Sequence, residues 1–320
     1  MRAAPRLDGR VPLHKLEVLV LVVELGTVTR AAEQLFVAQP VVTAHLRSLE
    51  ERFGVTLFVR QGRLLQLTEE GQRVHAWAAE TLARGRAMIR ELEGLSGGQS
   101  GAAVVGASMS VGSYILPPIL IEFRRARPQA QLTLAVGDPE TALHGVEQGE
   151  FDFCIVIRDR PPDGSVLEGE LLGTEDIVLV TAPGGSPAAD RIDIAEIAEL
   201  EMIASPRGSL RRSLVDTALM QLDAPTYKPV IELGHPEAMK RAVMEGLGAG
   251  FSTRASVSNE LQRGVLREVG LFGGQPTVPI YAVKRCDKHL SELQAQLLDE
   301  IRVSLQPQLT KDDSEVHPVP

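Results

Sequence analysis

Gln39, Thr43 and Arg47 recur at i, i+4 and i+8, so an amide, a hydroxyl and a guanidinium share one face of a single helix. They offer donors and acceptors for recognition, and none is a nucleophile with a base beside it. A second set of polar groups follows: Ser108-Met109-Ser110, then Ser205, Arg207 and Ser209, then Gly234-His235, then Ser252-Thr253. Each lies at a junction between a strand and a helix. In two-subdomain α/β modules a ligand sits among such junctions, where free N–H groups and the helix dipole favour anions. Hydroxyls with one cation suit a small carboxylate, phosphate or sulfate ester. The same hydroxyls, and His235, also suit helix capping, and the sequence leaves both roles open.

Bond-making chemistry finds little support. Gly106-Ala107-Ser108-Met109-Ser110 misses the nucleophile elbow, because Ser110 stands where the second Gly belongs. Gly246-Leu247-Gly248-Ala249-Gly250 lacks the preceding strand and the spacing of a dinucleotide fingerprint. The 7 His form no H-E-x-x-H, and Cys154 and Cys286 are too few and too far apart for a zinc knuckle or a disulfide scaffold. The expectation is a protein that is not an enzyme, with no cofactor and no metal, whose two cysteines are small buried hydrophobes.

The elements that must position these groups follow from periodicity. Leu16, Leu19, Val20 and Val23 mark a first helix ended by Gly26; a short second helix runs from about Thr29 to Leu35 with the small pair Ala31-Ala32. The third opens at Ala38-Gln39-Pro40, buries Val42, Leu46, Leu49 and Phe53, and closes at Gly54. VTLFVRQGRLLQLT reads as a β-hairpin with Arg60 and Arg63 at its tip. A long helix then runs from Thr68 to about Leu95. Val74, Thr81 and Met88 repeat in it every seven residues, as do Ala78, Gly85 and Leu92. That seam predicts a dimerisation helix through Val74, Ala78, Thr81, Met88 and Leu92, with packing inside its own chain as the alternative.

Residues 96–101 read as a flexible hinge. Beyond them AAVVGAS, QLTLAVG, FDFCIVI, DIVLVTA, EMIAS, KPVIELG, GAGFST and VPIYAVK alternate with helices, the pattern of an α/β module with largely parallel sheets. The expected division is 11–68, 69–95 and 102–304. A polar leader at 1–10 and a disordered tail at 305–320 flank it.

The 320 residues suit two domains, and a hydrophobic share of 44% is enough for sizeable cores. Formal net charge is -9, which would ordinarily argue against a nucleic-acid partner. The sign is unevenly placed, however: residues 1–94 are net positive by 2 and the remainder net negative by 11. The N-terminus has no apolar run of the secretory kind, and the run Val18 to Val23 is far too short to span a bilayer. A cytoplasmic protein without membrane association is expected.

The stretch LEVLVLVVELGTVTRAAEQLFVAQPVVTAHLRSLEERFGVTLFVRQGRLLQLTEEG resembles the N-terminal domain of LysR-type transcriptional regulators. Residues 101 to about 304 look like that family's effector module, and ELGHPEAMKRAVMEGLGAGF is similar to a segment of its carbon dioxide fixation and sulfur assimilation regulators. The resemblance implies an α+β multi-domain fold: a winged helix-turn-helix, a linker helix and a two-subdomain periplasmic-binding-protein-like effector domain, with one subdomain over about 102–174 and 278–304 and the other over about 175–277. It implies double-stranded operator DNA, a small anionic metabolite effector and further copies of the same chain, assembled as a dimer of dimers, as partners; RNA polymerase is a further partner it allows. In such a head the second helix of the motif enters the major groove, so Gln39, Pro40, Val41, Thr43 and Arg47 become base or backbone contacts, and Arg60 and Arg63 suit phosphates or a narrow minor groove. The effector contacts would be Ser108, Met109, Ser110, Ser205, Arg207, Ser209, Gly234, His235 and Thr253. Two departures stand out: Ala38 where the family often has Ser, and Ala44 where it commonly has Arg or Lys. Ala44 removes a DNA contact, with His45 an off-face substitute. The competing reading is a free-standing solute-binding protein, which leaves the first 95 residues unexplained.

Overall fold

The computed structural model describes residues 11–61, 64–96, 101–162 and 164–305. The chain divides into an N-terminal and a C-terminal unit near residue 98. The leader, the tail beyond 305, most of the hinge, and Arg63 lie outside the described residues.

The N-terminal unit begins with α1 (Leu13–Leu25), α2 (Val28–Gln34) and α3 (Gln39–Phe53). Gly26 and Gly54 end α1 and α3 in the left-handed region, at φ of 71° and 66°. Thr27 caps α2 by accepting from the Arg30 amide. Strands β1 (Phe58–Gln61) and β2 (Leu64–Leu67) pair antiparallel as the wing, and α4 (Glu69–Ser96) follows. Leu16, Leu19, Ala31, Val42, Leu49 and Leu57 form the centre of a core in which Ala31 and Ala32 let α2 approach its neighbours closely. Glu50 fixes the wing to α3 by accepting from the Leu57 amide at 2.9 Å.

The C-terminal unit runs β3 (Ala102–Ser108), a π-helical turn (Val111–Ile115), α5 (Leu116–Ala126), β4 (Gln131–Gly137), α6 (Pro139–Glu147) and β5 (Phe153–Ile157). It continues through β6 (Leu167–Thr181), β7 (Arg191–Asp193), a 3-10 turn (Ile194–Glu199), β8 (Met202–Ala204), α7 (Leu210–Met220), β9 (Pro229–Glu232) and α8 (Pro236–Met244). The last elements are β10 (Ala249–Thr253), α9 (Arg254–Gln262), β11 (Arg267–Phe272), β12 (Thr277–Arg285) and α10 (Glu292–Leu305). Strand order is β4-β3-β5-β12-β6-β10-β8-β9, with β11 on β6 and β7 on β11.

Parallel pairs lie at the two ends of that order, as the alternation of strands and helices requires. The middle is antiparallel, which corrects the expectation of largely parallel sheets. The reason is β6, a 15-residue strand that pairs with β12 through Asp176 and with β10 from Ile177. It runs from one half of the unit into the other, and β12 begins beside that passage, Thr277 opposite Asp176. β5 is buried at every residue because both its faces are covered: Phe153, Ile155 and Ile157 join the main core, while Cys154 and Val156 pack on α6 through Leu143 and Val146. Cys154 is buried as expected, but Cys286 is exposed just past the end of β12.

Candidate functional site

On α3 the apolar stripe and the polar stripe separate as the spacing predicts. Val42, Leu46 and Leu49 are buried, whereas Gln39, Pro40, Val41 and Arg47 are exposed and Thr43 is half-buried. A shallow depression runs along Gln39, Thr43, Ala44, Arg47, Ser48 and Glu51. The Thr43 hydroxyl donates to the Gln39 carbonyl at 3.2 Å, which leaves the oxygen's lone pairs able to accept. His45 is no substitute for a base at 44. Its ring packs edge-on against His14, centroids 5.1 Å apart, and partial burial, with the nearby charges of His14 and Lys15, holds its pKa below the usual value. The cation that does reach this helix is Lys15 of α1, whose Nζ donates to Ser48 Oγ at 2.6 Å. Sequence periodicity had no means of finding that pairing. Arg60 lies in β1, with nothing described of its side chain, and Arg63 lies outside the described residues.

Within the C-terminal unit a cavity of about 270 Å³ opens where the N-termini of α6, α7 and α8 converge on the ends of β3 and β10. Ser108, Met109, Ser110, Ser209, Gly234, His235 and Thr253 all line it. Several hydroxyls have structural duties too. Ser108 Oγ accepts from the Ile157 amide at 3.2 Å, Ser209 caps α7, and His235 Nδ1 caps α8 by accepting from the Glu237 amide. Thr253 Oγ1 is buried with no hydrogen-bond partner. Ser205 and Arg207 are not in this cavity. The Ser205 hydroxyl faces Met239 Sδ at 3.3 Å behind it, and Arg207 lies along a separate groove with Tyr227, Lys228 and Pro229. The cation in the wall is Arg211, on the first turn of α7. Burial holds its pKa below the ordinary arginine value.

A helix with one buried and one polar, solvent-facing stripe, and a separate unit enclosing a cavity at helix starts, direct the comparison with known proteins. The family described as "LysR substrate binding domain" matches residues 96–306, and "Bacterial regulatory helix-turn-helix protein, lysR family" matches 13–72. The chain belongs to the LysR family of transcriptional regulators. This LysR regulator is 30% identical over 289 residues to the uncharacterized HTH-type transcriptional regulator YeiE of Escherichia coli, covering 90% of the chain and 96% of that relative. It is 32% identical over 265 residues to a probable RuBisCO transcriptional regulator of Nostoc sp., covering 79% of the chain and 77% of that relative. Its fold matches full-length OxyR of Pseudomonas aeruginosa with a TM-score of 0.63 at 21% identity, covering 92% and 95% of the two chains. The match at 13–72 also disposes of the free-standing solute-binding reading, which has no place for a helix-turn-helix.

The seam of the regulator's α4 divides in two. Val74 and Ala78 turn into the N-terminal core with Leu82, Ala78 being fully buried in its own chain, so this part is not an open dimer surface. The Thr81 hydroxyl bonds back to the Trp77 carbonyl at 2.8 Å. Met88, Ile89 and Leu92 are more than half exposed.

Beside the cavity, a polar network joins the halves of the regulator's effector unit. Tyr114 of the π-helical turn donates to Glu237 of α8, and Lys240 Nζ reaches Glu237 at 2.8 Å and Glu260 at 3.0 Å. Burial, then the Glu237 hydrogen bond, pushes the Tyr114 phenol up to about 12. Burial alone would raise the Glu237 carboxyl, but the Lys240 and Tyr114 bonds outweigh it and hold the carboxyl below its usual value. Among the described residues no group of three or more His, Cys, Asp or Glu could hold a metal ion, and no helix is long and apolar enough to cross a membrane.

Proposed function

We propose that this LysR regulator reads operator DNA through Gln39, Thr43 and Arg47 of α3, with Pro40 and Val41 as apolar contacts and Arg60 and Arg63 of the wing on the backbone. The observation that carries this reading is the solvent-facing polar stripe of α3 opposite a buried apolar one. Gln39 and Arg47 take part in no core contact, and an exposed amide and guanidinium at groove-reading spacing suit adenine or guanine edges and phosphates. The modest charge of the N-terminal unit makes a single copy a weak binder, so two or four copies bound side by side supply the affinity. The exposed end of α4 pairs two of them, and dimers assemble further into a tetramer that meets RNA polymerase at the promoter. The cavity holds a small anionic metabolite that sets how the copies are placed on DNA. Ser108, Met109, Ser110, Ser209, Gly234, His235 and Thr253 contribute to its lining, with Arg211 taking the part first given to Arg207. The assignment involves no catalytic step, no metal and no cofactor, and places the regulator in the cytoplasm.

Selection from a random pool of duplexes by the full-length chain tests it. One sequence family should be enriched at low salt, and the Gln39→Ala, Thr43→Ala, Arg47→Ala triple variant should enrich none. An intact chain that retains no duplex would overturn the reading.

A further inference from the structure

Resting on that cavity reading, we infer that the effector is a singly charged carboxylate of about eleven heavy atoms, most of them an apolar body, anchored by Arg211 and Thr253. It is not a sugar phosphate, a dicarboxylate or an inorganic anion.

The charges in the wall limit the ligand to one negative group. Arg211 makes no hydrogen bond or ion pair among the described residues, while its neighbour Arg212 is held by Asp216 at 2.8 Å and stacks 4.6 Å over the Tyr227 ring. Arg211 is therefore the cation left for a ligand. The other permanent charge in the wall has the opposite sign. Asp138 accepts from the Thr141 amide at 2.9 Å and hydroxyl at 2.6 Å, which keeps it ionised at the start of α6. A second anionic group on the ligand would meet that carboxylate. His235 Nδ1 is already accepting from the Glu237 amide, so that nitrogen has no proton to offer a ligand.

Thr253 gives an independent sign of a polar ligand atom. The residue is 7% exposed, it lines the cavity, and its Oγ1 has no partner. A buried hydroxyl left unbonded is costly, and a carboxylate oxygen would accept from it. Arg211 and Thr253 between them supply a charge-assisted bond and a hydroxyl donor, the requirements of one carboxylate.

Apart from the hydroxyls of Ser108, Ser110, Ser209 and Ser252 and the His235 ring, the rest of the wall is largely hydrocarbon. Ile157, Ile177, Phe251 and Val278 are each at most 5% exposed and contribute apolar surface, with Leu214 beside them. Hydroxylated or phosphorylated carbons placed there would lose water without replacement bonds. Size follows from the volume. Benzene fills a cavity of about 150 Å³, or roughly 25 Å³ per carbon. At that scale 270 Å³ holds about eleven heavy atoms. A phenyl ring or branched chain of that size with one carboxylate matches the charge, the hydroxyl and the walls together.

Calorimetric titration and thermal shift of the full-length chain test this with 3-phenylpropanoate, benzoate and 4-methylpentanoate on one side, and succinate, glucose 6-phosphate and sulfate on the other. The first set should bind and raise the melting temperature. 3-Phenylpropanamide, the neutral counterpart, should bind at least tenfold more weakly, a comparison that needs no variant to fold. Arg211→Gln and Thr253→Val, checked for native melting without ligand, should weaken 3-phenylpropanoate about tenfold or more. Tighter, Arg211-dependent binding of the second set would overturn the ligand class and leave the cavity reading intact. Binding of 3-phenylpropanoate that neither variant nor the amide alters would overturn the anchors. No response to any of the six probes at millimolar concentration would overturn both this inference and the cavity reading.

Discussion

Replacing Met88 and Ile89 by Glu should separate the copies of this regulator without unfolding its N-terminal unit. The two side chains are 54% and 58% exposed on α4 and take no part in the core built by α1, α2 and α3. Full burial of such a side chain contributes about 1.5–3 kcal/mol, so the half still exposed has about 1 kcal/mol left to give on pairing. Two side chains on each of two copies amount to about 4 kcal/mol, and each 1.4 kcal/mol is about a factor of ten in Kd. A dimer that pairs through this surface should therefore weaken roughly 1,000-fold, and further through repulsion among the four introduced carboxylates. Sedimentation equilibrium across micromolar concentrations reads the mass, and circular dichroism verifies that α4 stays helical. An unchanged dissociation constant would show that this end of α4 is not the pairing surface. Val74 and Ala78 offer no such test, because substituting them disrupts the core of a single copy.

Two glycines of α4 should respond oppositely to alanine. A Cβ on Gly71 would lie 2.1 Å from the Leu57 carbonyl oxygen, so Gly71→Ala should destabilise the N-terminal unit by about 1–2 kcal/mol despite its helix-forming gain, whereas Gly85 has open space and Gly85→Ala should stabilise it by up to about 1 kcal/mol. Thermal unfolding measures both, and a Gly71→Ala melting temperature at or above the native one contradicts the close approach. Asp138 gives an acid test: hydrogen bonds from the Thr141 side chain and amide hold its folded pKa below the unfolded value, so its stabilisation is full above that value and is lost as pH falls through the folded one. Asp138→Asn, which keeps a cap and takes up no proton, should flatten the fall in melting temperature below about pH 4; an unchanged acid limb would remove Asp138 from the account.

The helices of the N-terminal unit were legible because their chemistry is local. The i, i+4 spacing of Val42 and Leu46 against Gln39 and Thr43 identifies both faces of α3, and Gly26 and Gly54 mark the ends of α1 and α3. What the sequence hid is non-local. Of three arginines near Ser209, spacing favoured Arg207; only the packed unit shows Arg212 tied to Asp216 and Arg211 turned to the cavity. The first half of β6, LEGELLG, carries too many exposed polar positions to read as a strand, and it is one because β12 lies beside it along Leu167–Arg285 contacts far apart in the chain. α9 and β11 went unseen for the same reason. The heptad of α4 was real, but Ala78 serves α1 of its own chain, and a seven-residue repeat does not say which partner it serves.

The most direct measurement of the central claim is fluorescence anisotropy of the selected duplex and a scrambled one with the native chain and the Gln39→Ala variant. Gln39 is exposed at the start of α3 and holds no core contact, so folding and non-specific binding should persist. Each lost base contact is worth about 1–3 kcal/mol, so the preference for the selected duplex should fall about 5- to 150-fold per reading head, while affinity for the scrambled duplex stays within a factor of about two. A variant that keeps the full preference would contradict the assignment of α3 as the reading helix.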